Sequence, residues 1–295
     1  MRRKITVVGA GNVGATCAQR IAERDYARVV LIDAEGDRAA RAGVDVNVAA
    51  AIRGYAPSVI GTDNLEELSG SQIVVIAIDA GGNEPAVAAG IAEEVRDRAP
   101  DAVVIVASNP LEAVCHSVYD VLQFPRERVM GMAGALHSAA LRTLLARDLG
   151  VSPRDVDAVV LGGHADTMVP LLSCATVAGI AVRKRIPAEA IDAAVARLRD
   201  AAGPRESALA PVYAPAAALV EMVDAIALDQ RRVLPCAALC KGEYGFEEIF
   251  VGLPCKLGQG GIHEIVEMDL DDDERRRLAD SARAVEERVE TKARV

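Results

Sequence analysis

The chain has 295 residues, 51% of them hydrophobic, and 43 acidic residues against 33 basic ones give a net charge of −10. That length can bury a large core and implies two domains or one large one. The acidic balance, with no basic block, excludes the electrostatic footprint of a nucleic-acid binder, and no apolar run reaches membrane-spanning length.

The basic opening Met1-Arg2-Arg3-Lys4 meets a glycine loop too soon for a signal peptide. An apolar run, Ile5–Val8, leads into Gly9-Ala10-Gly11-Asn12-Val13-Gly14, then an Ala-rich helical segment, then a second run, Val29–Ile32, ending at Asp33. This is a dinucleotide-binding signature with its context intact. Gly9 permits the tight turn, Gly11 lets a pyrophosphate approach the backbone, and Gly14 lets the helix lie close on the strand. The helix start at Asn12 and Val13 offers free N–H groups to phosphate. Asp33 can accept hydrogen bonds from both ribose hydroxyls and would repel a 2′-phosphate, which favours NAD over NADP.

Further strand-like runs follow at Val59–Gly61, Ile73–Ile78, Val103–Ala107 and Arg128–Met130, with Ala-, Glu- and Arg-rich helical segments between most of them. The alternation predicts a doubly wound parallel sheet covered by helices on both faces. Ligands of such sheets sit beyond the carboxyl ends of the strands, so the glycine loop, Asp33, Ala77–Gly82 and Ser108-Asn109-Pro110 should face one crevice.

From about Gly131 the pattern changes. Helices are expected over Ala135–Leu149, Pro187–Ala202 and Ala214–Leu228. Strands are expected at Val156–Leu161, Thr167–Val177, Val233–Leu239, Ile249–Leu253 and Ile262–Glu267, a mixture that predicts an α+β second domain. The expected division is 1–130 and 131–295. Leu278, Ala282, Val285 and Val289 mark an amphipathic closing helix over Asp271–Lys292. Six cysteines without a C-x-x-C pair, several in apolar runs, read as buried reduced thiols of a cytoplasmic protein rather than disulfides or metal ligands.

Taken together, the glycine loop, Leu31-Ile32-Asp33, Ser108-Asn109-Pro110-Leu111, Gly131-Met132-Ala133-Gly134, Leu161-Gly162-Gly163-His164-Ala165-Asp166 and Tyr213-Ala214-Pro215-Ala216-Ala217 resemble the malate/lactate dehydrogenase family along essentially the whole chain. The resemblance is nearest to the bacterial, lactate-dehydrogenase-like malate dehydrogenases. It implies a Rossmann domain followed by a substrate domain, NAD as cofactor, a small-molecule substrate, and a homodimer or homotetramer built on two-fold axes.

The resemblance places His164 at the family's acid/base histidine, where an imidazole titrating near ~6.5 can both accept a hydroxyl proton and donate one to a carbonyl. Asp166 follows two residues later, with Ala165 where the family has glycine. Asn109 would meet the nicotinamide end or the reacting oxygen; on local grounds it is equally a turn-forming Asn before Pro110. The departures lie on the substrate side. Where the resemblance implies an Asp and, three residues on, an Arg, the chain has His137 and Ala140. The arginine would grip a carboxylate through two charge-assisted bonds of roughly 1.5–3 kcal/mol each. Arg142 lies about 200° further round the helix and cannot stand in for it.

The basic mobile loop expected after the fourth strand is replaced by Asp79-Ala80-Gly81-Gly82-Asn83-Glu84-Pro85-Ala86, with no cation until Arg96. Arg205 is a candidate replacement. Two imidazoles without a third acid or thiol fall short of a zinc set, so no metal is expected. Three readings compete. In the first, an NAD-dependent dehydrogenase acts on a hydroxyl or carbonyl whose neighbour is not a free carboxylate. In the second, a catalytically silent homologue binds NAD(H) as a sensor or partner subunit. In the third, the chain is an ordinary malate dehydrogenase, the reading that the missing arginines weaken.

Overall fold

The computed structural model describes residues 2–56, 58–164, 167–202 and 211–293. In chain order the elements are β1 (Arg3–Val8), α1 (Asn12–Glu23), β2 (Ala27–Ile32), α2 (Gly36–Arg53), β3 (Val59–Thr62), β4 (Ile73–Ile76), α3 (Glu84–Arg98), β5 (Val103–Val106), α4 (Leu111–Leu122) and β6 (Val129–Gly131). Then come α5 (Gly134–Leu149), β7 (Val156–Gly162), β8 (Met168–Val177), β9 (Ile180–Ala181), α6 (Ala188–Ala202), α7 (Tyr213–Ala227), β10 (Arg232–Lys241), β11 (Glu247–Gly258), β12 (Gly261–Ile265) and α8 (Asp272–Ala293).

Contacts divide the chain into two units. The first comprises Met1–Met132, Pro211–Arg232 and Leu257–His263, and the second Ala133–Ala210, Val233–Lys256 and Glu264–Val295. The expected cut after residue 130 thus falls two residues later, and the expected contiguous halves need a correction: Pro211–Arg232 and Leu257–His263 group with the first unit. The reason is packing. Helix α7 lies on α1, the Tyr26 hydroxyl donates to Asp224 Oδ1 at 2.6 Å, and Arg24 meets Asp224 Oδ2 at 3.1 Å.

In the first unit six parallel strands run in the order β3-β2-β1-β4-β5-β6. β4 and β5 are buried along their whole length, and so are the last four residues of β1. Strands covered on both faces take such unbroken Val/Ile runs. The register sets Val8 beside both Ile32 and Ile76, and Ile76 beside Val106. The carboxyl ends of β1, β2, β4 and β5 are therefore level, and strand order reverses beside β1, where such sheets open a crevice.

In the second unit β7 and β8 pair antiparallel, with α5 and α6 on one side and α8 on the other. Val156, Ala158 and Val160 face Leu141, Leu145 and Leu198, whereas Leu161, Val169 and Leu171 face Leu278, Ala282 and Val285. The alternation is what a strand's two-residue period demands. The expected closing helix stands as α8, its start fixed by reciprocal bonds: Asp271 Oδ1 accepts the Glu274 N–H at 2.9 Å and Glu274 Oε2 accepts the Asp271 N–H at 3.3 Å. Glu274 also accepts both the N–H and the hydroxyl of Ser173, which ties the helix start to β8.

Candidate active site

Gly9 has φ +107°, and a Cβ there would stand 2.2 Å from the Ala77 carbonyl oxygen. A Cβ on Gly14 would stand 1.9 Å from the Gly9 carbonyl oxygen, while one on Gly11 would meet nothing within 4 Å. The first and last glycines are thus required by the protein's own packing, and the middle one faces open space through which a ligand can approach the backbone. Gly11 caps α1 with no side-chain hydrogen bond, and the first turn carries no acidic residue, so the N–H groups at Asn12 and Val13 lack a local anion.

Beyond the end of β2, Asp33 Oδ2 accepts the Ala10 N–H at 2.6 Å and Oδ1 accepts the Glu35 N–H at 2.9 Å, which fixes the carboxylate against the glycine loop. The Arg38 guanidinium lies 3.7 Å from Asp33 Oδ2 and is also paired with Glu35. The Ala77 N–H donates to the Val8 carbonyl at 2.8 Å, and the Ile78 N–H donates to Ser108 Oγ at 2.8 Å. Ser108 is buried and Asn109 exposed at the end of β5. Gly9, Gly11, Asn12, Val13, Gly14, Asp33, Ala77 and Asn109 therefore all gather at one edge of the first unit's sheet. An uncapped helix start, an open glycine and a carboxylate held at the end of β2 fit a dinucleotide.

The second unit holds two imidazoles together. His137, on the first turns of α5, and His164, in the turn after β7, have ring centroids 4.9 Å apart at an interplanar angle of 41°. His137 is buried, and its Nε2 has no hydrogen-bond partner among the described residues. Burial, and secondarily the neighbouring His164, pushes its pKa down to about 4, so it is neutral at pH 7. Ala140, one turn on, packs against the core formed by α5, α6 and β7. His164 is half-buried.

The turn that carries His164 is anchored from far along the chain. Gly162 has φ +82° and a Cβ there would lie 2.5 Å from Ser281 Oγ. The Gly163 N–H donates to Ser281 Oγ at 2.9 Å, and the Thr167 hydroxyl donates to the His164 carbonyl at 3.1 Å. Ser138 Oγ accepts the Val160 N–H at 2.9 Å and pins α5 to β7. Sequence reasoning missed Ser281 and Ser138 because nothing local marks them. Ala165, Asp166 and Arg205 lie outside the described residues.

None of the six cysteines is in a disulfide, and five of them are buried. Burial, together with Asp224, pushes Cys17 up to about 12, so it is a packing group and not a nucleophile. Among the described residues no helix is long and apolar enough to cross a membrane.

Comparison with known proteins extends along the chain. Residues 3–84 match the lactate/malate dehydrogenase NAD binding domain, and residues 135–294 match the lactate/malate dehydrogenase alpha/beta C-terminal domain. The chain is 41% identical to the malate dehydrogenase of Thermomicrobium roseum, with 98% of each chain covered, and 40% identical to that of Bacillus subtilis, with 96% of each covered. Its fold superposes on the malate dehydrogenase of Salinibacter ruber with a TM-score of 0.94 at 39% identity, covering 99% of this chain and 98% of that one. On the Cryptosporidium parvum lactate dehydrogenase complexed with lactic acid and NAD the TM-score is 0.93 at 32% identity, with 99% and 98% covered.

Proposed function

Because the chain belongs to the lactate/malate dehydrogenase family, and is therefore an NAD-dependent oxidoreductase acting on CH–OH donors, we propose that it oxidises a hydroxyl compound whose neighbouring group is not a free carboxylate. The observation that carries this reading is the buried, neutral His137 against His164, with Ala140 one turn away. An imidazole without charge and a methyl group offer no fork to a carboxylate, whereas a neutral imidazole can pair with a neutral polar group.

In this reading NAD, when bound, supplies the hydride acceptor. Gly11 and the start of α1 receive the pyrophosphate, and Asp33 accepts from the ribose hydroxyls. His164 takes the proton from the substrate hydroxyl in oxidation and returns it to the carbonyl oxygen in reduction. Asn109 meets the nicotinamide end or the reacting oxygen, and the resemblance implies a substrate-side role for Asp166. The protein is placed in the cytoplasm, a reading supported by six cysteines that form no disulfide. A homodimer or homotetramer belongs to the same proposal, supported by Val44, Val48 and Ile52, which stand exposed at four-residue spacing on α2 as a stripe for a second copy to cover.

A second reading is malate oxidation. Full-length identity near 40% to chains named malate dehydrogenase favours it over the uncharged substrate, and the residues at 137 and 140 favour the opposite. Titration of NADH by fluorescence, followed by NADH oxidation with oxaloacetate, pyruvate, keto esters, ketones and aldehydes, separates the two. His164→Ala should abolish turnover and leave NADH affinity unchanged; equal loss of both would remove His164 from the acid/base role.

A further inference from the structure

Between β4 and α3 the chain turns over 79–83, where Asp79, Gly81, Gly82 and Asn83 are exposed while Glu84, the first residue of the helix, is 6% exposed. Glu84 Oε1 accepts the Ala80 N–H at 2.9 Å and the Gly82 N–H at 3.1 Å. Gly81 and Gly82 have φ +63° and +103°, left-handed values that turn neighbouring N–H groups toward one side. The Asn83 N–H closes the turn on the Ala80 carbonyl at 3.3 Å. A concave set of backbone donors is thus filled by a carboxylate of the same chain.

This turn leaves the sheet at the crevice edge. Ala77, three residues before Ala80, is the residue whose carbonyl would meet a Cβ on Gly9, and Ile78 is held by Ser108. We propose that Glu84 is a positioning residue that locks the 79–83 turn in one conformation, so that the wall beside the glycine loop is fixed instead of swinging to admit and retain the dinucleotide. The lock stands on the geometry alone; its effect on cofactor rests on the NAD reading above. Because the turn is exposed, water can pair the two N–H groups once the carboxylate is gone, so removing it loosens the turn without unfolding the unit.

The test compares full-length wild type with Glu84→Ala and Glu84→Gln by hydrogen exchange over 79–83 and by stopped-flow NADH release. Glu84→Ala should speed exchange at these amides about 10-fold or more and NADH release by a similar factor, with exchange elsewhere unchanged. Glu84→Gln, whose side-chain carbonyl can accept the same two bonds, should stay near wild type. Added acetate should slow exchange again in Glu84→Ala and change nothing in wild type. If Glu84→Ala does not fold, Glu84→Asp, which keeps the charge one methylene short of the turn, must show the same acceleration. Unchanged exchange at 79–83 overturns the lock. Faster exchange with unchanged NADH release overturns the positioning role and leaves the NAD reading standing, whereas a wild type that binds no NADH fails that reading and leaves the lock to the exchange result.

Discussion

The Gly163 N–H donates to Ser281 Oγ at 2.9 Å across 118 residues of sequence, so the last helix of the chain holds the turn on which His164 stands. Ser281 is 4% exposed, and no water replaces a bond lost there cheaply. Ser281→Ala should cost about 1–3 kcal/mol of stability by orphaning a buried N–H. It should also lower kcat by about 10-fold or more through misplacement of the imidazole, with NADH affinity intact. Denaturant unfolding and steady-state kinetics check the two halves; unchanged kcat would show that the turn holds its shape without Ser281.

The glycines of the loop should part company under the same substitution. Gly14→Ala places a methyl 1.9 Å from a backbone oxygen and should destabilise the fold by about 2 kcal/mol or more. Gly11→Ala meets nothing within 4 Å, so its melting temperature should stay at the wild-type value while NADH affinity falls about 10-fold or more, the methyl standing where the pyrophosphate approaches. Calorimetry and fluorescence titration read these separately.

Asp33→Asn removes the charge that repels a 2′-phosphate, keeps an oxygen for the Ala10 N–H, and leaves Arg38, now 3.7 Å from Oδ2, available to a phosphate. One charge-assisted bond of ~1.5–3 kcal/mol should raise the NADPH/NADH ratio of affinities by about 10–100-fold. An unchanged ratio would mean that Asp33 does not face the ribose.

His137 makes stability pH-dependent in a defined window. Its folded pKa, depressed to about 4 by burial and by His164, lies below the unfolded value near 6.5. Between those values the unfolded chain binds the extra proton, so stability is full above about pH 6.5 and is lost as pH falls toward 4. The loss attributable to this residue is about 3 kcal/mol. His137→Leu should flatten that part of the profile in denaturant melts from pH 7 to 4, and a slope identical to wild type would place the proton elsewhere.

Much of the first unit was legible because its signals are local. The run into Gly9, the glycine spacing and Asp33 lie within 33 residues, and hydrophobic runs marked all six parallel strands to within two or three residues at each end. What was not legible depends on distant partners. Helix α7 joins the first unit through Asp224 and Tyr26, 198 positions apart, and Ser281 reaches Gly163 from the far end of the chain. β11 is expected over Ile249–Leu253 but runs Glu247–Gly258, past Pro254, whose carbonyl accepts the Val266 N–H at 2.8 Å. The contact between His137 and His164 could be suspected from the resemblance, but the burial that makes His137 neutral exists only in the fold.

The central claim, an intact cofactor cradle in one unit and a substrate-side pair of His137 and Ala140 without a carboxylate grip in the other, is tested most directly by kcat/KM for NADH-dependent reduction of oxaloacetate against that of its dimethyl ester at pH 7. The account predicts that the ester is reduced at least as efficiently as the acid. A preference for oxaloacetate by several powers of ten, at turnover typical of enzymes (~1–10³ per second), would contradict it and establish the chain as a malate dehydrogenase that grips its substrate by other means.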